Sequence, residues 1–276
     1  ITDLLDKRSI TLNGSPTTKK EALDQMVDLM VRSGKINNKE EYRKQVYLRE
    51  EESTTGIGQG IAIPHGKCSA VSQPGLAAMV VPNGVEFESL DNAPVHLIFL
   101  IAAPNTEDNI HLDVLSKLSV LLMDSDFVSR LTSASSVDEF LQIIDQTDQE
   151  KPDLNHQLSF QPKTASGSSF RILAVTSCPT GIAHTYMAAE GLEKAAKSKH
   201  CFIKVETRGS GGAKNVLTDQ EIKEADCIII AADAKVPMER FHGKKLIECP
   251  VSDGISKADQ LVDRALKGDV SIYQAA

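Results

Sequence analysis

Tryptophan is absent from this sequence, and aromatic residues of all kinds make up 4% of it. A chain so poor in stacking surfaces is not built to hold single-stranded nucleic acid. The formal net charge of −8 argues against a phosphate-backbone partner as well. No apolar run approaches the roughly 18 residues that span a bilayer, and no signal peptide is visible. The chain by itself is therefore expected to be soluble. It opens on Ile1 rather than Met, as a trimmed product would. Five cysteines are present, Cys68, Cys178, Cys201, Cys227 and Cys249, and no two of them form a CxxC pair. Their odd number and scattered spacing support neither a metal site nor a disulfide framework, and fit a reducing compartment.

What is present suits two globular domains. The chain has 276 residues, 41% hydrophobic and 25% charged, enough for two cores. Charge is unevenly shared. Residues 1–150 hold 13 Lys+Arg and 23 Asp+Glu, net −10, whereas residues 151–276 hold 17 and 15, net +2. That contrast favours an encounter between the halves.

The most informative stretch is Thr176-Ser177-Cys178-Pro179-Thr180-Gly181-Ile182-Ala183-His184-Thr185. Ile172 to Val175 before it reads as a buried strand, and Met187, Leu192 and Ala195 after it follow helical spacing. Cys178 thus sits where a strand feeds a helix N-terminus, at which free backbone N–H groups and the helix dipole favour an anion. Pro179 has no N–H, so the cradle would run over Thr180, Gly181, Ile182, Ala183, His184 and Thr185, with Gly181 allowing the tight curl. A cysteine between a strand and a helix is commonly an inert core residue, and the functional reading has to outweigh that one. Cysteine phosphatases carry a bidentate Arg clamp six residues after the cysteine; here that position is His184, which argues against a phosphatase. The missing CxxC argues against a redox enzyme. The run Cys-Pro-Thr-Gly-Ile-Ala-His-Thr closely resembles the phosphocysteine loop of fructose-type enzyme IIB of the bacterial phosphoenolpyruvate:sugar phosphotransferase system. The resemblance implies that Cys178 takes a phosphoryl group from an enzyme IIA and passes it to the incoming sugar.

In the first half, Ile10 and Leu12 alternate around Thr11. Ala22, Leu23, Met26, Val27, Met30 and Val31 predict an amphipathic helix over 17–33, closed by Gly34. Asn38, with Glu41 at capping-box spacing, opens a second helix to about residue 51 that carries Tyr42, Val46 and Arg49 near one face. The Gly-x-Gly-x-Gly run of Gly56, Gly58 and Gly60 lacks the context of a dinucleotide fingerprint. Ile61 to Ile63 reads as a brief strand ending at His65. Strands are expected at 76–81 and 95–102, with His96 a satisfied structural histidine. A helix carries Leu112, Leu115, Leu118, Leu121 and Leu122 on one side, and a last helix spans 137–147. By itself His65 is more readily a solvated or core histidine, and His111 a surface residue. The segment Ile63-Pro64-His65-Gly66 nevertheless resembles the phosphohistidine segment of fructose/mannitol-type enzyme IIA. That resemblance implies His65 as the phosphorylated residue, His111 in its His-Leu context as a second active-site histidine, and Arg49 as the active-site arginine.

Polar, Pro, Gly and Ser residues over 148–169 read as a linker. Beyond it the pattern is strand 171–176, loop and helix 178–198, strand 202–206 and a Gly-rich loop from Arg208 to Gly212. A helix at 219–224 follows, capped by Thr218 with Glu221. Strands 227–232 and 245–247 and a helix at 256–267 complete the chain. The Gly-rich loop lacks a P-loop ending, so a nucleotide site is not expected. Asp233, Arg240 and His242 are expected in solvated loops, and Cys201, Cys227 and Cys249 as packing residues.

The expected class is α/β with two domains. One is an N-terminal α/β sandwich with a mixed sheet (1–147, IIA type); the other is a C-terminal, Rossmann-like, four-stranded parallel sheet flanked by helices (170–268, IIB type). A linker (148–169) joins them and a tail (269–276) follows. The resemblance implies a sugar phosphotransferase: phospho-HPr donates to His65, Cys178 receives the group, and a membrane IIC component presents the sugar, fructose by the type of loop, at the inner face of the cell membrane. No metal or cofactor is called for, and no nucleic acid. A regulatory sensor using the same two phosphorylation sites, or a mannose-related sugar, is the alternative.

Overall fold

The computed structural model describes residues 1–106, 110–150, 170–179, 181, 183–209 and 211–275; the side chains of 110–113 are outside that description. The chain divides into two compact units, Ile1–Pro152 and Asp153–Ala276.

In the first unit, β1 (Leu5–Thr11) leads to α1 (Lys19–Arg32) and α2 (Lys39–Glu52). Both helices start where their capping residues dictate. The Thr18 side chain accepts from the Glu21 N–H, and the Asn38 side chain accepts from the Glu41 N–H. Gly34, at φ +76°, takes the left-handed turn past the end of α1. Then come β2 (Gly56–Gly58), β3 (Ile61–Ala62), β4 (His65–Cys68), β5 (Gly75–Val85) and β6 (Val95–Pro104). The unit ends with α3 (Ile110–Leu121), α4 (Ser125–Thr132) and α5 (Val137–Glu150). The sheet runs β1-β5-β6-β3-β2, and β4 also pairs with β6. It is mixed: β1 is parallel to β5, β5 antiparallel to β6, and both β3 and β4 parallel to β6. Met26, Val27 and Met30 of α1 pack with Ala77, Met79 and Ile98 of the sheet, each such side chain contributing roughly 1.5–3 kcal/mol by leaving water.

Three elements differ from the sequence expectation. His65 begins a strand instead of ending one, because Pro64 lacks the N–H that would continue the ladder. Helix α4 is additional. Its signal is short, an Asp124 cap accepting from the N–H groups of Asp126 and Phe127, then Phe127 and Leu131 buried one turn apart. Helix α5 runs to Glu150, and within it Asp148 pairs with the Ile1 ammonium and with Lys117.

The second unit contains β7 (Arg171–Ser177), α6 (Ala183–Ser198), β8 (Phe202–Gly209), β9 (Gly212–Lys214), α7 (Asp219–Glu224), β10 (Cys227–Ala232), β11 (Leu246–Cys249), α8 (Val251–Ser256) and α9 (Ala258–Lys267). The sheet order is β11-β10-β7-β8-β9. The first four strands are parallel, as expected, and the short β9 adds an antiparallel edge because the Gly-rich loop folds back on β8. Period-2 alternation splits the core in two. Ile172, Ala174, Cys227, Ile229 and Ala231 pack on one side of the sheet, and Leu173, Val175, Ile228 and Ile230 on the other. The helix expected at 256–267 is α9, and the short α8 that precedes it, ending at Ser256, was not expected. The tail is tied down as well: Tyr273 N–H donates to the Lys244 carbonyl, and the Gly243 and Leu246 N–H groups donate to the Tyr273 and Ser271 carbonyls. It covers the outer edge of β11.

Candidate functional site

His65 is the first residue of β4, paired in parallel register with Ile101 of β6, and is 1% exposed. Helix α2 lies directly on this strand. A Cβ on Gly66 would stand 3.0 Å from ring carbon Cε2 of Tyr42 and 3.0 Å from Cγ2 of Val46, so glycine there lets the helix come close. One turn beyond Val46, the same helix face delivers Arg49 to the histidine. Arg49 Nε donates to His65 Nε2 at 3.1 Å, and the ring's Nδ1 lies 3.0 Å from the Ile63 carbonyl. The two contacts set the tautomer. Nε2 accepts, so Nδ1 bears the proton and donates it to Ile63. Arg49 is itself steadied by Nη1 donating to the Ser53 carbonyl at 3.0 Å and to Ser53 Oγ at 3.3 Å. Its position in the last turn of α2 suits a cation.

Cys178 follows β7 directly. It is 3% exposed, packed with Ala188 and Val251, and Thr185 Oγ1 donates to its Sγ at 3.1 Å. The loop closes by the Gly181 N–H donating to the Cys178 carbonyl at 3.0 Å, with Gly181 at φ +63°. Helix α6 starts at Ala183, and Ala183, His184 and Thr185 in its first turn are buried. The thiol therefore lies by the N-terminal end of a helix with a hydroxyl donor on its sulfur, a place where a transferred phosphoryl group would be favoured.

Of the residues singled out by sequence, Arg49 and His65 meet in the first unit, while in the second Cys178 and Gly181 lie in the loop after β7 and Ala183, His184 and Thr185 in the first turn of α6. Thr180 and Ile182 lie outside the described residues. His111 is in the first turn of α3, and its side chain also lies outside them. Sequence reasoning missed the partners these groups recruit from a distance. Arg240, expected in a solvated loop, donates through both terminal nitrogens to Glu206 at 2.8 and 2.7 Å, and Arg208 Nη1 reaches the same carboxylate at 2.8 Å. Glu206 is fully buried. Burial alone would raise its pKa, but Arg240, the Leu217 N–H and Arg208 outweigh it and hold the carboxyl below its ordinary range. Asp233 and His242 are exposed loop residues, as expected; Asp233 accepts from the Val251 N–H at the start of α8, and His242 Nδ1 from the Ala275 N–H. Among the described residues no group of three or more His, Cys, Asp or Glu is placed to hold a metal ion. No described helix is long and apolar enough to cross a membrane. Burial pushes the thiols of Cys227 and Cys249 up to about 11 and about 12, which suits packing residues.

Two α/β units, one with a buried imidazole held by an arginine and one with a cysteine at a helix start, define the class as a two-unit α/β protein. Residues 3–147 match the family described as phosphoenolpyruvate-dependent sugar phosphotransferase system, EIIA 2, and residues 173–264 match PTS system, Lactose/Cellobiose specific IIB subunit. The chain belongs to the phosphoenolpyruvate-dependent sugar phosphotransferase system EIIA 2 family, with a IIB unit fused behind it. It is 44% identical over all 276 residues to the PTS system fructose-specific EIIABC component of Bacillus subtilis, covering 43% of that protein. It is 33% identical over 269 residues (96% of this chain, 39% of the relative) to the 2-O-alpha-mannosyl-D-glycerate-specific EIIABC component of Escherichia coli. Over 104 residues, 38% of the chain, it is 55% identical to the fructose-specific EIIB'BC component of Vibrio cholerae, covering 18% of that protein. The chain spans about two fifths of the length of the curated relatives that it matches from end to end.

Proposed function

We propose that this chain is the IIA–IIB part of a sugar phosphotransferase, in which one phosphoryl group moves from phospho-HPr to His65, then to Cys178, then to a sugar presented by a membrane IIC component. The observation that carries the reading is the tautomer of His65. With the proton on Nδ1 committed to the Ile63 carbonyl, the in-plane lone pair of Nε2 is the nucleophile. Phosphoryl transfer needs mainly positioning and charge stabilisation. As phosphorus approaches Nε2, the Arg49 guanidinium moves from the lone pair to the equatorial oxygens, where its fixed charge offsets theirs. His111 is proposed as a further donor to those oxygens. In the second step Sγ of Cys178, as thiolate, attacks phosphorus while the N–P bond breaks and its electron pair returns to Nε2. Thr185 Oγ1 and the backbone cradle over 180–185 would take up the new charge. A polar tether of about 20 residues between the units would hold donor and acceptor at an effective concentration on the order of millimolar; the proposed domains are 1–147 and 170–268, with α5 reaching three residues into the 148–169 segment that joins them.

Fructose is the proposed sugar, by the name of the Bacillus subtilis relative. The mannosylglycerate-specific relative keeps a mannose-related substrate as the second reading. The site of action would be the cytoplasmic face of the membrane. Incubation with phosphoenolpyruvate, enzyme I and HPr, followed by mass spectrometry, tests the relay. Wild type should carry adducts on His65 and Cys178, His65→Ala on neither, and Cys178→Ser on His65 alone. Transmission of phosphate to sugar by Cys178→Ser would refute the assignment.

A further inference from the structure

Glu50 is buried at 8% exposure in the last turn of α2, where a carboxylate is opposed by the helix dipole and by the cost of leaving water. Both of its oxygens have partners. Oε1 accepts from the Thr55 N–H at 2.9 Å and pairs with Lys19 Nζ at 2.9 Å, while Oε2 accepts from Thr55 Oγ1 at 2.6 Å. Lys19 lies over the Phe87 ring at 5.2 Å and also pairs with Glu88. Burial works against its ammonium, but the Glu88 and Glu50 carboxylates more than offset that and raise its pKa.

What this carboxylate holds leads straight to the imidazole. Thr55 is fully buried, and its carbonyl accepts from the Ile63 N–H at 3.0 Å. The carbonyl of that same Ile63 accepts from His65 Nδ1 at 3.0 Å. Glu50 therefore anchors the start of the β2–β3 hairpin, the hairpin fixes the peptide of Ile63, and Ile63 fixes the ring. Arg49, the neighbouring residue, fastens Ser53 in the same exit turn. One helix end thus controls both nitrogens of the histidine, Nε2 directly and Nδ1 through Thr55 and Ile63.

We propose that Glu50 is a positioning residue for His65: through Thr55 and Ile63 it holds the proton on Nδ1 and so keeps Nε2 as the nitrogen that meets phosphorus. The proposal rests on the functional reading above for its kinetic consequence, whereas its structural consequence is independent of phosphate. Two measurements separate them. Long-range ¹H–¹⁵N spectra of the unphosphorylated chain report the tautomer of His65, and rapid-quench assays with phospho-HPr report the rate at which it is charged. Wild type should show the Nδ1–H tautomer alone. Glu50→Ala should mix the tautomers and slow charging by roughly tenfold or more. Glu50→Gln retains an acceptor for the Thr55 N–H; it should keep the single tautomer and recover most of the rate. Glu50→Asp, which keeps the charge but is one methylene too short to engage Thr55 through both oxygens, should behave like Glu50→Ala and carries the test if the alanine variant does not fold. A pure Nδ1–H tautomer in the folded Ala or Asp variant overturns the proposal. A wild-type chain that shows that tautomer yet takes no phosphate refutes the functional reading alone.

Discussion

Gly209 lies so close to Tyr186 that a Cβ built on it would stand 2.5 Å from the tyrosine oxygen and 2.8 Å from the Gly181 carbonyl. The end of β8 and the cysteine loop therefore touch through backbone and one hydroxyl, with no room for a methyl group. Gly209→Ala must push the loop or Tyr186 aside. It should cost about 1–3 kcal/mol of stability and slow phosphocysteine formation while His65 is still charged. Thermal unfolding and the ratio of the two adducts by mass spectrometry check this. An unchanged ratio would show that the loop is indifferent to β8.

Arg49 makes two kinds of contact that lysine cannot make together, one to His65 Nε2 and one to the Ser53 backbone and hydroxyl. Lysine keeps the charge but loses the planar fork. Arg49→Lys should fold normally and take phosphate from phospho-HPr roughly 10²-fold more slowly. A rate within a few-fold of wild type would mean that charge alone suffices.

Thr185→Val removes the hydroxyl that donates to Cys178 Sγ and leaves the shape of the side chain nearly intact. The valine variant should be alkylated by iodoacetamide several-fold more slowly at neutral pH, and Thr185→Ser should restore the rate. Equal alkylation of all three proteins would remove the hydroxyl from the site.

Arg240→Ala strips the bidentate partner from fully buried Glu206 and leaves it only Arg208 and the Leu217 N–H. Breaking such a pair costs about 3–5 kcal/mol at neutral pH. The carboxyl is held below its ordinary range in the folded wild type. Its ion pair therefore contributes full stability above that ordinary range and loses it as pH falls through the folded value. Urea denaturation should show the gap between wild type and variant narrowing in acid. A gap independent of pH would place the loss in packing instead.

Glu193 on α6 shows the opposite shift, raised to about 8 by burial and by the neighbouring Glu190 carboxylate. Between the ordinary glutamate pKa and that value the folded chain binds the proton that the unfolded chain has lost, so stability falls as pH rises through this window. Glu193→Gln should be neutral in mild acid and stabilising by on the order of 1–3 kcal/mol above the window. Calorimetry at the two extremes decides it.

The sequence alone located most helices and strands because their signals are local. Asn38 and Thr218 cap the helices they were expected to cap, and Cys227–Ala232 is a strand of the expected length. Where local signals were weak, elements went unseen or were misplaced. Helix α4 spans eight residues, β9 spans three, and Pro64 shifts the start of β4 to His65. Arg208 and Gly209, expected in a loop, continue β8, since their backbone groups pair with the returning β9.

Composition, periodicity and two short motifs were enough to determine an α/β chain with an imidazole in its first half and a thiol in its second, because each of those features is written within a few consecutive residues. The tertiary structure alone decided what surrounds them. Arg49 reaches His65 only because α2 packs on β4 over Gly66, Glu50 acts on the ring only through the Thr55–Ile63 peptide contact, and Arg240 finds Glu206 across 34 positions. Such contacts depend on the packing angle of a helix and the register of a strand, which no window of neighbouring residues contains.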